Sequence, residues 1–163
     1  MSAHILGLHV NPEGGVPKYP VETLEVVSNG CLGDKQNNLE HHGGPTRAVC
    51  LMLESVMKRL QNHGHPIGPG TTGENILIGG LEPEAIGVGM ILKFSNNVSL
   101  KITAPTPPCE KIKASFENGE FTALSHKMDA HQTRWYASVV VEGTLSLGEG
   151  VQVVNEFEPA GSQ

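Results

Sequence analysis

Aromatic residues are scarce in this chain. Four Phe, two Tyr and one Trp make up 4% of it, so any core must be mostly aliphatic. Cysteine is also sparse: Cys31, Cys50 and Cys109 form no CxxC pair and leave an odd count. That excludes a disulfide framework and a four-thiolate zinc site, and free thiols fit a reducing compartment. Basic residues are outnumbered, 11 Lys and Arg against 17 Asp and Glu, for a formal charge of -6. Broad binding to nucleic acid or to a membrane surface needs a basic field, so neither is expected. A local basic pocket within an acidic surface is still compatible with this charge. No apolar run is long enough to cross a membrane, and the opening MSAHILGLHVNPEGG has no basic segment ahead of an apolar one. No signal peptide is expected, and the cytoplasm is the expected location.

What the chain does have is Gly (20), Pro (11) and His (8) in 163 residues. This length fits one domain, expected over residues 1–154 with a flexible tail at 155–163. The Gly and Pro content suits many short strands joined by turns. Strands are expected over 4–10, 21–27, 48–53, 76–78, 88–94, 98–102, 135–141 and 151–154. Asn96-Asn97 marks a hairpin turn between two of them. Val56, Met57 and Leu60 share one helical face, and Gly64 is a natural helix stop. A short helix is expected over 111–116. The Pro-rich piece 104–109 is expected to halt regular structure, because Pro cannot donate to a sheet ladder. Residues 28–47 form a polar stretch long enough to suggest a functional loop. The expected architecture is mainly β, a closed or nearly closed barrel with one clear helix and one or two short ones.

Three segments hold residues suited to chemistry. Cys109 follows Pro107-Pro108, which stiffen its backbone, and Lys111 and Lys113 nearby would favour a thiolate, the reactive form of a thiol. Locally, a lone Cys reads more readily as a buried inert thiol. Cys50, in the apolar run, reads as core, and Cys31 reads as a turn residue open to solvent. His41-His42-Gly43-Gly44-Pro45 combines imidazoles with glycines that let backbone approach a ligand closely. Arg47 adds a cation able to hold phosphate. Gly70-Thr71-Thr72-Gly73-Glu74-Asn75 could form an anion-binding backbone nest, with Glu74 either orienting a ligand or bracing the loop. It lacks the GKS or GKT ending of a Walker loop. His41, His42, His63, His65 and Cys109 are possible metal ligands, but no HExxH or Cys-pair signature joins them.

Singly these motifs are weak; their order is more specific. Gly30-x-x-Gly33-Asp34-x-Gln36, His41-His42-Gly43-Gly44-Pro45-x-Arg47-Ala48-Val49, Gly70-x-x-Gly73-Glu74-Asn75 and Pro107-Pro108-Cys109 together resemble the MOSC domain. Trp135-Tyr136, Glu142-Gly143 and Gly148-Glu149-Gly150 resemble its closing strand and turn. The resemblance runs from about Gly30 to Val154 and is nearest to the stand-alone bacterial type. It implies a β-barrel and a functional cysteine at Cys109. That thiol would ligate molybdenum in a pterin cofactor or carry sulfur as a persulfide. His42 and Glu74 would join Cys109 as catalytic residues. Gly43, Gly44, Arg47, Gly73, Asn75, Lys111 and Arg134 would hold the cofactor.

The chain departs from that pattern at three places. Thr106 stands where stand-alone members usually have Arg, Thr46 where an acidic residue or Asn is usual, and Arg134 where a Gly is expected. The loss at 106 removes a cation that would hold a phosphate or favour the thiolate, and Arg47, Lys111 or Arg134 could replace it. Three functions follow from the resemblance. The leading one is a molybdenum-cofactor oxidoreductase that reduces N-hydroxylated small molecules such as hydroxylaminopurines. It would draw electrons from a separate flavin or iron–sulfur partner, since neither flavin nor haem is expected here. The second is a sulfur carrier fed by a pyridoxal-phosphate-dependent desulfurase. The third is a non-catalytic module that binds a pterin or another small anion.

Overall fold

The structure is a computed structural model that describes residues 2–35 and 44–155. In chain order the strands are β1 (His4–Val10), β2 (Tyr19–Pro20), β3 (Thr23–Val27), β4 (Gly30–Cys31) and β5 (Val49–Leu53). Helix α1 (Glu54–Asn62) comes next. Then follow β6 (Ile76–Gly79), β7 (Ile91–Phe94), β8 (Ser99–Thr106), β9 (Arg134–Val141), β10 (Gly143–Ser146) and β11 (Val151–Val154). Short 3-10 turns occupy Pro83–Ala85, Glu110–Ser115, Glu117–Gly119 and Phe121–Ala123. The chain is mainly β with few helices.

Eight strands form one sheet in the order β11-β7-β8-β9-β5-β6-β1-β2, and β10-β3-β4 form a second. β5 lies inside the large sheet, antiparallel to β9 and parallel to β6. Every residue of Val-Cys-Leu-Met-Leu on it is buried. A strand covered on both faces is expected to be continuously apolar, and this one is. α1 makes the crossover from β5 to β6. It turns Val56, Met57 and Leu60 to the core, while Lys58 meets Glu54 at 3.6 Å on the outside. Gly64, at φ 95°, lets the chain leave the helix. The ends of the large sheet meet near β1. Ile5 N–H donates to Glu149 O (2.9 Å), Gly148 N–H to Ile5 O (2.9 Å) and Val151 N–H to Ala3 O (3.0 Å).

Several expectations need correction. The strand expected over 88–94 starts only at Ile91, and the one expected over 21–27 is Thr23–Val27, with β2 ahead of it. β8 runs on through Pro105 to Thr106 instead of stopping at the Pro-rich piece. Past Ile102 its ladder continues only to β9, and a bulge falls between Ile102 and Ala104. Pro is tolerated at such an edge because no second ladder needs its N–H. Cys31 is buried in β4, its thiol 3.6 Å from Ala48 O, and is not exposed in a turn.

Candidate functional site

The floor of the cleft beside Cys109 comes from three neighbouring strands. Cys50 on β5 is the cross-strand partner of Tyr136 on β9, and Thr106 on β8 is the partner of Arg134 on β9. Cross-strand partners, and residues two apart on one strand, share a face of a sheet. Cys50, Tyr136, Thr106 and Arg134 therefore sit on one face. The walls are residues 15–18, residues 70–75 and residues 107–112. The cleft opens to solvent, and the space within it and its mouth together is about 740 Å³.

The wall at 70–75 is held by its own acid. Gly70 N–H donates to Glu74 Oε2 (2.7 Å) and Thr72 Oγ1–H to Oε1 (2.8 Å), and Glu74 is fully buried. Gly70 has φ +79°, and a Cβ there would lie 2.3 Å from Lys18 O. Glycine thus serves both the turn and the close approach of the 15–18 wall, whose Lys18 N–H donates to Gly70 O at 2.8 Å. Asn75 ties three segments together. Its Nδ2 donates to His9 O (3.1 Å) and Asp34 Oδ2 (2.9 Å), and its Oδ1 accepts from Cys50 N–H (3.0 Å). Asp34 in turn grips Lys18 Nζ at 2.6 Å in a buried ion pair and accepts from Asn11 N–H at 2.8 Å.

Five of the 11 Lys and Arg line this cleft: Lys18, Lys35, Arg47, Lys111 and Arg134. Among the described residues no carboxylate lines it. Five cations at one cleft in a chain of formal charge -6 make a strong local contrast, of the sign that would suit an anion. The Arg47 guanidinium stands over the Tyr136 ring, 5.5 Å from its centroid. Arg134, 5% exposed, donates through Nη1 to Thr72 O (2.6 Å) and through Nη2 to Pro107 O (3.1 Å). It therefore joins the 70–75 wall to the segment that carries Cys109.

The two thiols of the cleft differ. Cys50 is buried on the floor with Sγ 3.7 Å from Thr106 Oγ1, and burial pushes its pKa up, so it stays protonated. Burial likewise raises the pKa of the Tyr136 phenol. Cys109 is exposed, at the extended residue that precedes the 3-10 turn Glu110–Ser115. An exposed thiol on a cationic rim can act as a nucleophile or as a soft metal ligand.

The expected site residues divide as follows. Cys109, Arg47, Gly73, Asn75, Lys111 and Arg134 all line the cleft. Glu74 does not. It is buried behind the wall with both oxygens accepting from that loop, the bracing arrangement. Gly44 adopts φ 80° and donates its N–H to Asn29 O at 3.2 Å, away from the lining. His42 and Gly43, with His41, lie outside the described residues. His63 lines a different cavity beside Lys58 and Arg59, and His65 Nδ1 accepts from Glu117 N–H at 3.1 Å. Neither lines the cleft. Among the described residues no three His, Cys, Asp or Glu converge as metal ligands.

Sequence reasoning missed Lys18, Lys35, Tyr136 and the floor position of Cys50. A buried lysine between two prolines carries no local signal. Asp34, by contrast, lies within the Gly33-Asp34-x-Gln36 motif, so its signal was present without a role attached.

Comparison with known proteins agrees with this picture. The family model described as the MOSC domain matches residues 38–152. YflK of Bacillus subtilis, described as an uncharacterized protein, is 26% identical over 148 residues, covering 90% of this chain and 66% of that protein. YiiM of Escherichia coli is 24% identical over 152 residues, covering 88% and 66%. A Gibberella moniliformis protein described as a reductase is 26% identical over 136 residues, covering 81% of this chain and 24% of that protein. The chain thus spans 66% of the length of each bacterial relative and about a quarter of the fungal one. Among solved structures, YuaD of Bacillus subtilis superposes with a TM-score of 0.75 at 16% identity, covering 94% of this chain and 96% of that one. YiiM of Geobacillus stearothermophilus superposes at 0.67 with 20% identity, covering 94% and 75%. These two superpositions establish likeness of fold. With the family match spanning most of its length, the chain belongs to the MOSC domain family.

Proposed function

We propose that the cleft binds the molybdenum–pterin cofactor and that the protein reduces N-hydroxylated small molecules, with Cys109 as the protein ligand to molybdenum. One observation carries this: the exposed Cys109 thiol stands at a cleft lined by five cations and, among the described residues, by no carboxylate. These residues fit the group. A pterin phosphate needs cations, and a high-valent metal accepts a thiolate. Arg47, Lys111 and Arg134 would hold its anionic part, and Gly73 and Asn75 would shape the wall against it. When bound, the cofactor would supply two-electron transfer to the N–O bond. Two electrons and two protons would convert each N–OH to N–H and one water. The electrons come from a separate flavin or iron–sulfur protein. We read the bonded ends of the large sheet as a nearly closed barrel and the free thiols as suited to the cytoplasm.

The test is expression in a host that makes the cofactor, followed by metal analysis of the pure protein. Molybdenum near one equivalent in the wild type, lost in Cys109→Ser, is the expected result. A folded, cofactor-exposed wild type without molybdenum removes the reading.

The exposure of Cys109 also favours a second reading, a sulfur carrier charged by a pyridoxal-phosphate-dependent desulfurase. Intact-mass spectrometry after incubation with such an enzyme separates the two. A gain of one sulfur, absent in Cys109→Ser, supports the carrier. Retention of cofactor with no turnover of any N-hydroxylated compound would instead mark a non-catalytic binding module.

A further inference from the structure

We propose that Arg134 is the anion anchor of the cleft, and that it supplies from β9 the positive charge that position 106, directly across the ladder on β8, does not carry.

The cross-strand register places the two residues opposite each other, so their side chains leave the same face of the sheet. Thr106 is 1% exposed and neutral, and it turns its hydroxyl to Cys50 Sγ at 3.7 Å. Arg134 is 5% exposed and lines the cleft. A buried guanidinium is costly unless it is paired with negative charge or fully hydrogen-bonded. Arg134 has neither among the described residues. Its bonds go to two neutral carbonyls, Thr72 O and Pro107 O, and its Nε is buried with no hydrogen-bond partner. The second N–H on each of Nη1 and Nη2 is left for an anion in the cleft that Arg134 lines.

The other cations are placed differently. Lys18 already holds Asp34 at 2.6 Å. Arg47 stands over the Tyr136 ring, Lys35 is exposed, and Lys111 is an exposed residue of the 3-10 turn that follows Cys109. Among the cleft cations of the described residues, only the Arg134 side chain bonds both the 70–75 wall and the Cys109 segment. An oxyanion gripped there is held between the 70–75 loop and the Cys109 segment, with a planar fork that suits tetrahedral phosphate. The ligand class is a phosphate monoester. The inference deepens the cofactor reading by naming where the cofactor's phosphate would seat, yet its geometry stands on this chain alone.

Inorganic phosphate titrated into the purified full chain, expressed without molybdenum cofactor so that the cleft is empty of it, tests it by calorimetry and by the rise in melting temperature. The wild type should bind phosphate, and Arg134→Gln should weaken it by about tenfold or more, as for loss of a charge-assisted hydrogen bond. The exchange variant T106R/R134T returns the cation from β8 and should recover most of that loss. Lys113→Gln, outside the cleft lining, should bind as the wild type does. Circular dichroism in phosphate-free buffer checks that each variant folds. If Arg134→Gln does not fold, the exchange variant is read against Arg134→Lys, which keeps the charge but loses the fork and should bind more weakly than the exchange variant. No phosphate binding by the wild type, undiminished binding by Arg134→Gln, or a folded exchange variant with no recovery overturns the proposal. Molybdenum content is measured on parallel samples expressed in a cofactor-making host. Phosphate binding that follows Arg134, with no molybdenum in those parallel samples, keeps the anchor and removes the cofactor. Molybdenum retained while phosphate ignores Arg134 removes the anchor alone.

Discussion

Glu74 shows how much one buried carboxylate can hold. Its two oxygens accept from Gly70 N–H at 2.7 Å and Thr72 Oγ1–H at 2.8 Å, and nothing of it reaches solvent. Glu74→Gln keeps the shape but gives one of those donors an amide N–H to face. The expected loss is about 1–3 kcal/mol, read by urea unfolding. A loss below ~0.5 kcal/mol would mean the loop does not depend on this brace. Asp34 is the harsher case, because its partner is a buried cation. Asp34→Asn leaves Lys18 without its counter-charge and should cost about 3–5 kcal/mol. Adding Lys18→Met should restore part of that loss, since removing both charges is milder than stranding one. A double variant no more stable than Asp34→Asn alone would show that the ion pair is not what the single change breaks. Of these residues, Asp34 and Glu74 were visible in the motifs. Their roles were not, because burial and bond partners come from distant parts of the chain.

At the scale of elements, long and strongly patterned segments were legible. β1, β5, α1 and β9 all lie close to where apolar periodicity puts them. β4 and β10 were not legible as strands. Gly30–Cys31 is too short to carry a pattern and Gly-Thr-Leu-Ser at 143–146 has one apolar residue, and both are held by β3. The departures at 106 and 134 looked independent in the sequence. Only the β8–β9 register, with its bulge between Ile102 and Ala104, places them opposite one another. Register is a tertiary property that a single strand's sequence does not state. The 70–75 wall offers a test at this scale through two glycines of similar conformation. Gly33 (φ +87°) has open space where a Cβ would go, whereas at Gly70 (φ +79°) a Cβ would meet Lys18 O at 2.3 Å. Both Ala variants suffer the left-handed backbone, at about 1 kcal/mol. Gly70→Ala adds a clash between two walls and should be at least ~1 kcal/mol less stable than Gly33→Ala. Equal stabilities in chemical denaturation would mean that the walls yield freely, and that the cleft is not set by their contact.

For the whole molecule, buried titratable groups set the pH range in which the fold holds. Burial raises the pKa of the Cys31 and Cys50 thiols above their ordinary 9.0, and that of the Tyr136 phenol above its ordinary 10.0. Above about pH 9 the unfolded chain releases thiol protons that the native protein keeps. The native state then binds more protons, so stability falls as pH rises, by about 1.4 kcal/mol per pH unit for each such thiol. On the acid side His9 acts in the opposite sense. It is 2% exposed with Nδ1 lacking a hydrogen-bond partner, and burial lowers its pKa below the ordinary 6.5, an effect the nearby Glu74 charge partly opposes. As pH falls below about 6.5 the unfolded chain takes a proton at this position while the native one does not. Stability again declines, until the native His9 titrates. The expected profile of unfolding free energy is a plateau between about pH 6.5 and 9 with a fall on each side. Urea titrations across that range read it directly. In Cys31→Ala/Cys50→Ala the alkaline fall should be delayed to the region where Tyr136 would ionise in the unfolded chain, while the acid limb keeps its midpoint. An alkaline limb unchanged in that variant would show that the buried thiols do not set the upper bound.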